Sequence, residues 1–151
     1  MPVSIRASRM FVATQGVLLV IFAAVFFWHP DAPLLVSAEA SMAGVVIAIA
    51  GLLVIALGFV ALKDNIQVAP HTKEGAHLVQ DGIYRVLRHP IYTGMAICIV
   101  GLWLKQPCLS VGVAGAVVIV FLGVKRRIEE EFLVAAYPEY AEYRKRTVAL
   151  P

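Results

Sequence analysis

Apolar runs alternate along the chain with short polar stretches, and the charged residues lie almost wholly in those stretches. The first run, Met10 to Trp28, carries no charge and follows Arg6 and Arg9. A basic flank before an apolar run also describes a secretory leader, whose apolar region spans about 7–15 residues. This run is longer, and the cleavage-like Ala38-Glu39-Ala40 lies well beyond its bulky Phe26-Phe27-Trp28 end, so it reads as a spanning helix. The second run, Ser41 to Leu62, is uncharged and long enough to cross a hydrocarbon core of about 30 Å at about 1.5 Å per residue. Gly44 and Ala48 make a small-xxx-small face on it, extended by Gly51 and Gly58, which serves close helix approach or reflects ordinary small-residue use in membranes. From Pro90 to Val124 the chain is apolar except around Lys105, Gln106 and Pro107. A tight turn there gives two more spans, Pro90 to Leu104 and Cys108 to Val124. The third is short for a full crossing, so either Lys105 snorkels or the helix starts at the interface, setting Arg88 and His89 at headgroup depth.

The expected fold is therefore all-α: an integral membrane bundle of about four transmembrane helices (10–28, 41–62, 90–104, 108–124) in one domain over 1–151. A tail over 125–151 carries a C-terminal amphipathic helix. Composition supports lipid as the solvent, with 60% hydrophobic and 15% charged residues and a mean hydropathy of +0.82 in 151 residues. Little chain remains for a separate soluble catalytic domain, so a site must be built from loops and helix ends.

Charge then sets sidedness. Arg6, Arg9, Lys63, Lys73, Arg85, Arg88, Lys125, Arg126, Arg127, Arg144, Lys145 and Arg146 fall on one side of the four spans, leaving Lys105 alone on the other. The positive-inside rule predicts a multi-pass protein with both termini cytoplasmic. The same assignment puts the loop 63–89 and the tail 125–151 on one face, where they can meet. A net charge of +3 and a pI near 9.0 would suit nucleic acid, but the basic residues flank apolar runs and form no stripe with interleaved aromatics. Cys98 and Cys108 have neither metal-ligand nor CxxC spacing and read as packing residues.

The chemistry-bearing residues concentrate in two blocks. The first runs from Leu78 to Gly94, LVQDGIYRVLRHPIYTG, where Asp81-Gly82 signals a turn and Pro90 can open a helix. A helix start there offers free N–H groups and positive potential to an anion, and Arg88 could grip the same anion. Tyr84 and Tyr92 could stack on a flat ring or sit in an interfacial aromatic belt. The second block, Lys125 to Ala136, has helical character and ends before Pro138. Its Glu129, Glu130 and Glu131 point about 100° apart in succession, so no more than two can face one pocket. Arg126 with Glu130 and Arg127 with Glu131 have the spacing of surface ion pairs, which is the solvated-face reading of the same residues.

Taken together, the two blocks resemble the isoprenylcysteine carboxyl methyltransferase family, with the phospholipid N-methyltransferases as more distant relatives. Leu78, Val79, Gly82, Tyr84, Arg88, His89, Pro90, Tyr92 and Gly94 match its L-V-x-x-G-x-Y and R-H-P-x-Y-x-G elements. Glu129, Glu130, Leu133, Tyr137, Tyr140, Tyr143, Arg144, Lys145 and Arg146 match its glutamate pair, aromatics and basic cluster. The likeness covers residues 73–151; Tyr137-Pro138 replaces the aromatic-Gly found in relatives and shifts the register before Tyr140.

The resemblance implies S-adenosylmethionine as methyl donor, no metal, and a lipophilic small molecule or prenylated peptide as acceptor, reached from membrane lipid. It implies catalytic roles for Arg88, His89 and Glu130. It also implies donor contacts from Tyr84, Arg88, His89, Pro90, Tyr92, Gly94, Glu129 and Glu130. A carboxylate from Glu129 or Glu130 would hold the donor's ammonium, and Arg88 or the backbone near His89 to Tyr92 its carboxylate. Two other readings stand beside this one: an NADPH-dependent membrane reductase of sterols or polyprenyl chains, and a non-catalytic membrane adaptor binding anionic lipid through its basic tail.

Overall fold

The computed structural model describes residues 5–28, 31, 33–62 and 78–151, with side chains from Arg9 onward. Lys63 and Lys73, and the side chain of Arg6, which enter the charge asymmetry, lie outside the described residues. The elements are α1 (Ile5–Trp28), α2 (Ala38–Leu62), a 3-10 turn (Gly82–Arg85), α3 (Pro90–Lys105), α4 (Leu109–Ala136) and α5 (Tyr140–Arg146). The architecture is all-α, as the hydrophobic pattern predicts. By length and composition α1 from Arg9, α2 and α4 can each cross a membrane, and α3 is a shorter apolar helix.

Local chemistry sets the ends of these helices. Pro90 opens α3 at a position where a missing N–H costs nothing, and His89 stands at its N-cap. At the other end the Gln106 N–H bonds back to Leu102 O and Trp103 O, both at 3.1 Å, and closes the helix. The start of α4 is tied to the α1–α2 connection, because the Ser110 N–H donates to Asp31 Oδ2 at 3.1 Å and the Ser110 hydroxyl to Asp31 Oδ1. Gly82 adopts φ +58°, the left-handed turn that Asp81-Gly82 announced.

Packing follows from where the small residues fall. Gly44, Gly51 and Gly58 recur every seventh residue on α2 and meet α3 antiparallel, at Gly101 and Lys105, at Gly94 and Cys98, and at Pro90 and Ile91. A Cβ on Gly51 would lie 2.6 Å from Gly94 O, and one on Gly94 would lie 2.7 Å from Gly51 O. A seven-residue repeat keeps one seam facing its partner, and small side chains let the backbones meet where lipid supplies no hydrophobic drive. Close approach is thus the role of the Gly44–Ala48 face.

The opposite face of α3 joins α1 and α4 around Phe22, Phe26, Ile99, Cys108, Val111, Val118 and Leu122. Both cysteines are free, Cys108 fully buried in this core and Cys98 against Gly51. Val17, Val20 and Ile21 on α1 and Leu52, Leu53, Leu57 and Val60 on α2 point outward, the arrangement a lipid solvent favours.

In one respect the backbone departs from the hydrophobic pattern. The apolar run ends at Val124, but the helix continues without a break to Ala136. Lys, Arg, Glu, Leu and Ala all keep good helix propensity, so charge ends the apolar surface without ending the hydrogen-bond ladder. The glutamates therefore ride on a rigid extension of α4. After it α5 turns back, and Val148 pairs with the segment before α3: the Arg88 N–H donates to Val148 O and the Val148 N–H to Val86 O, both at 2.8 Å. Because α1 runs antiparallel to α4, the start of α1, the 78–89 segment, the end of α4 and α5 share one end of the bundle, with Asp31 and Lys105 at the other.

Candidate active site

At that shared end the two sequence blocks meet. Arg88 Nε lies 3.1 Å from Glu130 Oε1, and the two side chains are 10% and 8% exposed. Arg88 Nη1 also donates to the Arg144 carbonyl at 2.7 Å and the Thr147 carbonyl at 2.5 Å, so one guanidinium joins the 78–89 segment, α4, α5 and the residues after it. Arg126 Nη1 at 4.0 Å and Arg144 Nε at 3.8 Å complete a cationic ring around the Glu130 carboxylate. In low dielectric a lone buried carboxylate is costly, and these cations are what make its burial tolerable.

His89 sits between the two glutamates, Nδ1 4.0 Å from Glu129 Oε2 and Nε2 3.5 Å from Glu130 Oε1. Its ring stacks on Tyr92 with parallel planes 1° apart and centroids at 5.6 Å. The Tyr92 hydroxyl donates to the Glu129 carboxylate, at 2.8 Å from Oε1 and 2.9 Å from Oε2. Helical geometry sorts the three glutamates: Glu130 is buried among cations, Glu129 is 32% exposed beside Tyr92, and Glu131 is exposed.

The other candidates occupy different places. The Tyr84 ring is buried, and its carbonyl accepts the Tyr143 hydroxyl at 2.7 Å. Burial raises the phenol pKa of Tyr84, and of Tyr140 too, above the usual tyrosine range, and pushes Tyr143 up to about 12. Pro90 is buried at the start of α3, against the face of α2 that carries Gly58. Gly94 lies one turn deeper on the α2 seam, so the structure groups Arg88, His89, Tyr92, Glu129 and Glu130 but sets Gly94 in the helix packing.

Four residues enter the site that sequence reasoning missed. Gln15 of α1 accepts a hydrogen bond from Lys125 Nζ at 2.7 Å, and Lys125 lies 3.7 Å from Glu129 Oε1. The Thr147 hydroxyl donates to the Tyr143 carbonyl at 2.6 Å, and the Thr93 hydroxyl to the Leu150 carbonyl. An amide inside an uncharged run was a visible signal for Gln15; for the threonines the sequence offers none.

Arg88, His89, Tyr92, Glu129 and Glu130 lie within a stretch that resembles a known family. The profile of phospholipid methyltransferases matches residues 40–140, which takes in α2 from its third residue, α3, α4 and both sequence blocks. The chain belongs to the phospholipid methyltransferase family. A 73-residue stretch is also 37% identical to the cobalt-zinc-cadmium resistance protein CzcN of Cupriavidus metallidurans. That match covers 48% of this chain and 34% of CzcN, so the chain spans about a third of that relative's length. No solved structure matches. Within the phospholipid methyltransferase frame, the ion-paired end of the bundle brings titratable side chains of the matched region into contact.

Proposed function

We propose that this chain transfers a methyl group from S-adenosylmethionine to a lipophilic acceptor at the membrane end where Arg88, His89, Glu129 and Glu130 meet. The observation that carries the reading is that cluster: two segments far apart in sequence bring carboxylates, an imidazole and an aromatic ring together at the start of α3, in a chain of a methyltransferase family. The residues fit the donor's chemistry. Glu129, the more open carboxylate, suits its ammonium, Tyr92 offers a ring face, and the first N–H groups of α3 suit its carboxylate. Arg88 is committed to Glu130 and to backbone carbonyls, so its part is to hold the site together.

The acceptor class we favour is a carboxylate, such as that of a prenylated cysteine. Methyl transfer to it forms an O–C bond as the S–C bond of the sulfonium breaks, and S-adenosylhomocysteine leaves with the electron pair. No proton moves. An amine acceptor would instead need a base, for which His89, its buried Nε2 without a hydrogen-bond partner, is the candidate. What remains for the protein is to exclude water and align donor and acceptor. Cytoplasmic placement of this end follows from the lysine and arginine asymmetry.

Incubating the purified protein with methyl-labelled S-adenosylmethionine and a membrane lipid extract, followed by mass spectrometry, tests this directly. Label in an apolar product released by mild base identifies an ester and supports a carboxylate acceptor; base-stable label points to an amine. No transfer to any lipid, together with oxidation of NADPH by the same preparation, would move the chain to the reductase reading.

A further inference from the structure

Gln15 is the only side-chain amide in the uncharged run from Met10 to Trp28. Both ends of that amide are used: Oε1 accepts from Lys125 Nζ at 2.7 Å, and Nε2 donates to Met95 Sδ at 3.6 Å. Lys125 is 7% exposed. Its ammonium lies 3.7 Å from Glu129 Oε1 and 5.1 Å from the centroid of the Tyr92 ring. The Tyr92 hydroxyl returns to the same carboxylate, closing a circuit of amide, ammonium, carboxylate and phenol across α1, α4 and α3.

A lysine withdrawn from water and lipid is costly unless its charge is answered, and anchoring α1 needs no charge at all. Phe22 and Phe26 already seat α1 in the core, and Phe11 meets Phe121 at 6.4 Å near the same end. The ammonium therefore does something the apolar contacts do not. At 3.7 Å it holds Glu129 as an ion pair while leaving lone pairs of that carboxylate for another donor. Its place over Tyr92 also fixes the ring on which His89 stacks.

We infer that Lys125, held by Gln15, is a positioning residue that sets Glu129 and Tyr92 for the methyl donor, so that α1 takes part in donor binding through Gln15. The inference rests on the proposed methyl-transfer reading and adds to it a residue from each of two helices. It has a distinctive signature: Gln15 and Lys125 act in series, so losing one removes most of what losing the other would.

The test compares wild type with Lys125→Met, Lys125→Arg, Gln15→Leu, the Lys125→Met/Gln15→Leu double variant and, as control, the exposed Arg127→Met. S-adenosylmethionine affinity is measured by calorimetry, KM and kcat by label transfer, and integrity by monodispersity in detergent. Lys125→Met is expected to raise donor Kd and KM about tenfold with a much smaller change in kcat, the loss of one charge-held carboxylate. Gln15→Leu should move the same parameters less, the double variant no further than Lys125→Met, and Lys125→Arg should recover most of the loss. Unchanged donor affinity in Lys125→Met and Gln15→Leu overturns the inference, as do additive effects. If Lys125→Met is not monodisperse, Gln15→Leu decides alone by the same criterion. Wild type that binds no donor refutes the methyl-transfer reading as well, whereas wild-type binding with indifferent variants refutes only the role of Lys125 and Gln15.

Discussion

Arg88 and Glu130, 42 positions apart in the chain, meet at 3.1 Å with their side chains 10% and 8% exposed. Around this pair the ordering of the whole membrane end becomes one event, because the guanidinium that neutralises Glu130 also takes the carbonyls of Arg144 and Thr147. The α2–α3 seam and the Phe22–Leu122 core are built from other side chains.

Removing that guanidinium should therefore separate the site from the bundle. Breaking a buried pair by deleting one partner costs about 3–5 kcal/mol, since a charge is left without its counter-ion. In Arg88→Ala the loss falls on α5 and the residues that follow. The expected result is abolished methyl transfer, protease cleavage after residue 136, and a protein still monodisperse in detergent. Collapse of the whole bundle would instead make Arg88 a general fold anchor.

The three glutamates should divide as their positions do. Glu131 is exposed, so Glu131→Gln is expected to bind S-adenosylmethionine as wild type does. Glu130→Gln removes the centre of the cationic ring and should weaken donor binding far more, by about tenfold or greater. Glu129→Gln keeps the Tyr92 contact but loses the charge, and should raise donor KM similarly. Calorimetric titration of the three variants decides, and equal affinities for Glu130→Gln and Glu131→Gln would remove Glu130 from the site.

How far the chain announced all this varies with the range of the interaction involved. The spans were legible because lipid demands long uncharged runs, and the Asp81-Gly82 turn and Pro90 helix start because both are local backbone preferences. The helical character of Lys125 to Ala136 and its stop before Pro138 were legible too, but its unbroken continuity with the fourth span was not, since Val124 closes the apolar surface there. The site blocks were visible as residue types, and the charge asymmetry put them on one face; what stayed hidden was the backbone pairing, since nothing near Thr147 to Leu150 shows that it will lie along Val86 to Arg88. The Gln15–Lys125 contact bridges 110 positions and needs the helices in place before either residue has meaning. The seven-residue spacing of Gly44, Gly51 and Gly58, matched by Gly94 and Gly101, was present in the sequence as a readable signal for the seam.

That seam gives a prediction independent of any chemistry. A side chain at Gly51 would have to displace the Gly94 carbonyl, 2.6 Å from where its Cβ would sit. Backbone cannot yield as a flexible side chain does, so Gly51→Val should cost at least the roughly 1–3 kcal/mol typical of overpacking. Gly16, with nothing within 4 Å, is the comparison. A lower temperature of aggregation in detergent for Gly51→Val, with Gly16→Val near wild type, is expected; equal effects would mean the two helices do not meet as described.

Sidedness can be read with single cysteines on a Cys98→Ala, Cys108→Ala background that remains monodisperse. Val86 and Val134 are exposed at the site end, and Leu35 is fully exposed at the other. An impermeant maleimide should label Val86→Cys and Val134→Cys from one side only, and Leu35→Cys from the other. The charge asymmetry predicts that the first side is cytoplasmic. Labelling of Val86→Cys and Val134→Cys from opposite sides would dissolve the site.

The buried phenols make the same end sensitive to alkali. Tyr143 is 2% exposed and donates its hydroxyl to the Tyr84 carbonyl at 2.7 Å, and burial pushes its pKa from 10.0 up to about 12. A group whose pKa is raised by folding is held protonated by the native state, so its contribution is complete below the unfolded value and is lost as pH climbs through the folded one. For Tyr143 that window runs from 10.0 to about 12. Burial shifts Tyr84 and Tyr140 in the same direction, so loss of α5 should begin in this range and precede unfolding of the spans. Tyr143→Phe leaves the Tyr84 carbonyl without its donor, a cost of about 1–3 kcal/mol at neutral pH, and removes one titrating phenol. The variant should therefore be less stable at pH 8 yet lose less of its remaining stability between pH 10 and 12. Protease resistance of α5 followed across that range, beside phenolate absorbance, measures both. Parallel pH profiles for variant and wild type would show that Tyr143 is not the group whose burial resists ionisation.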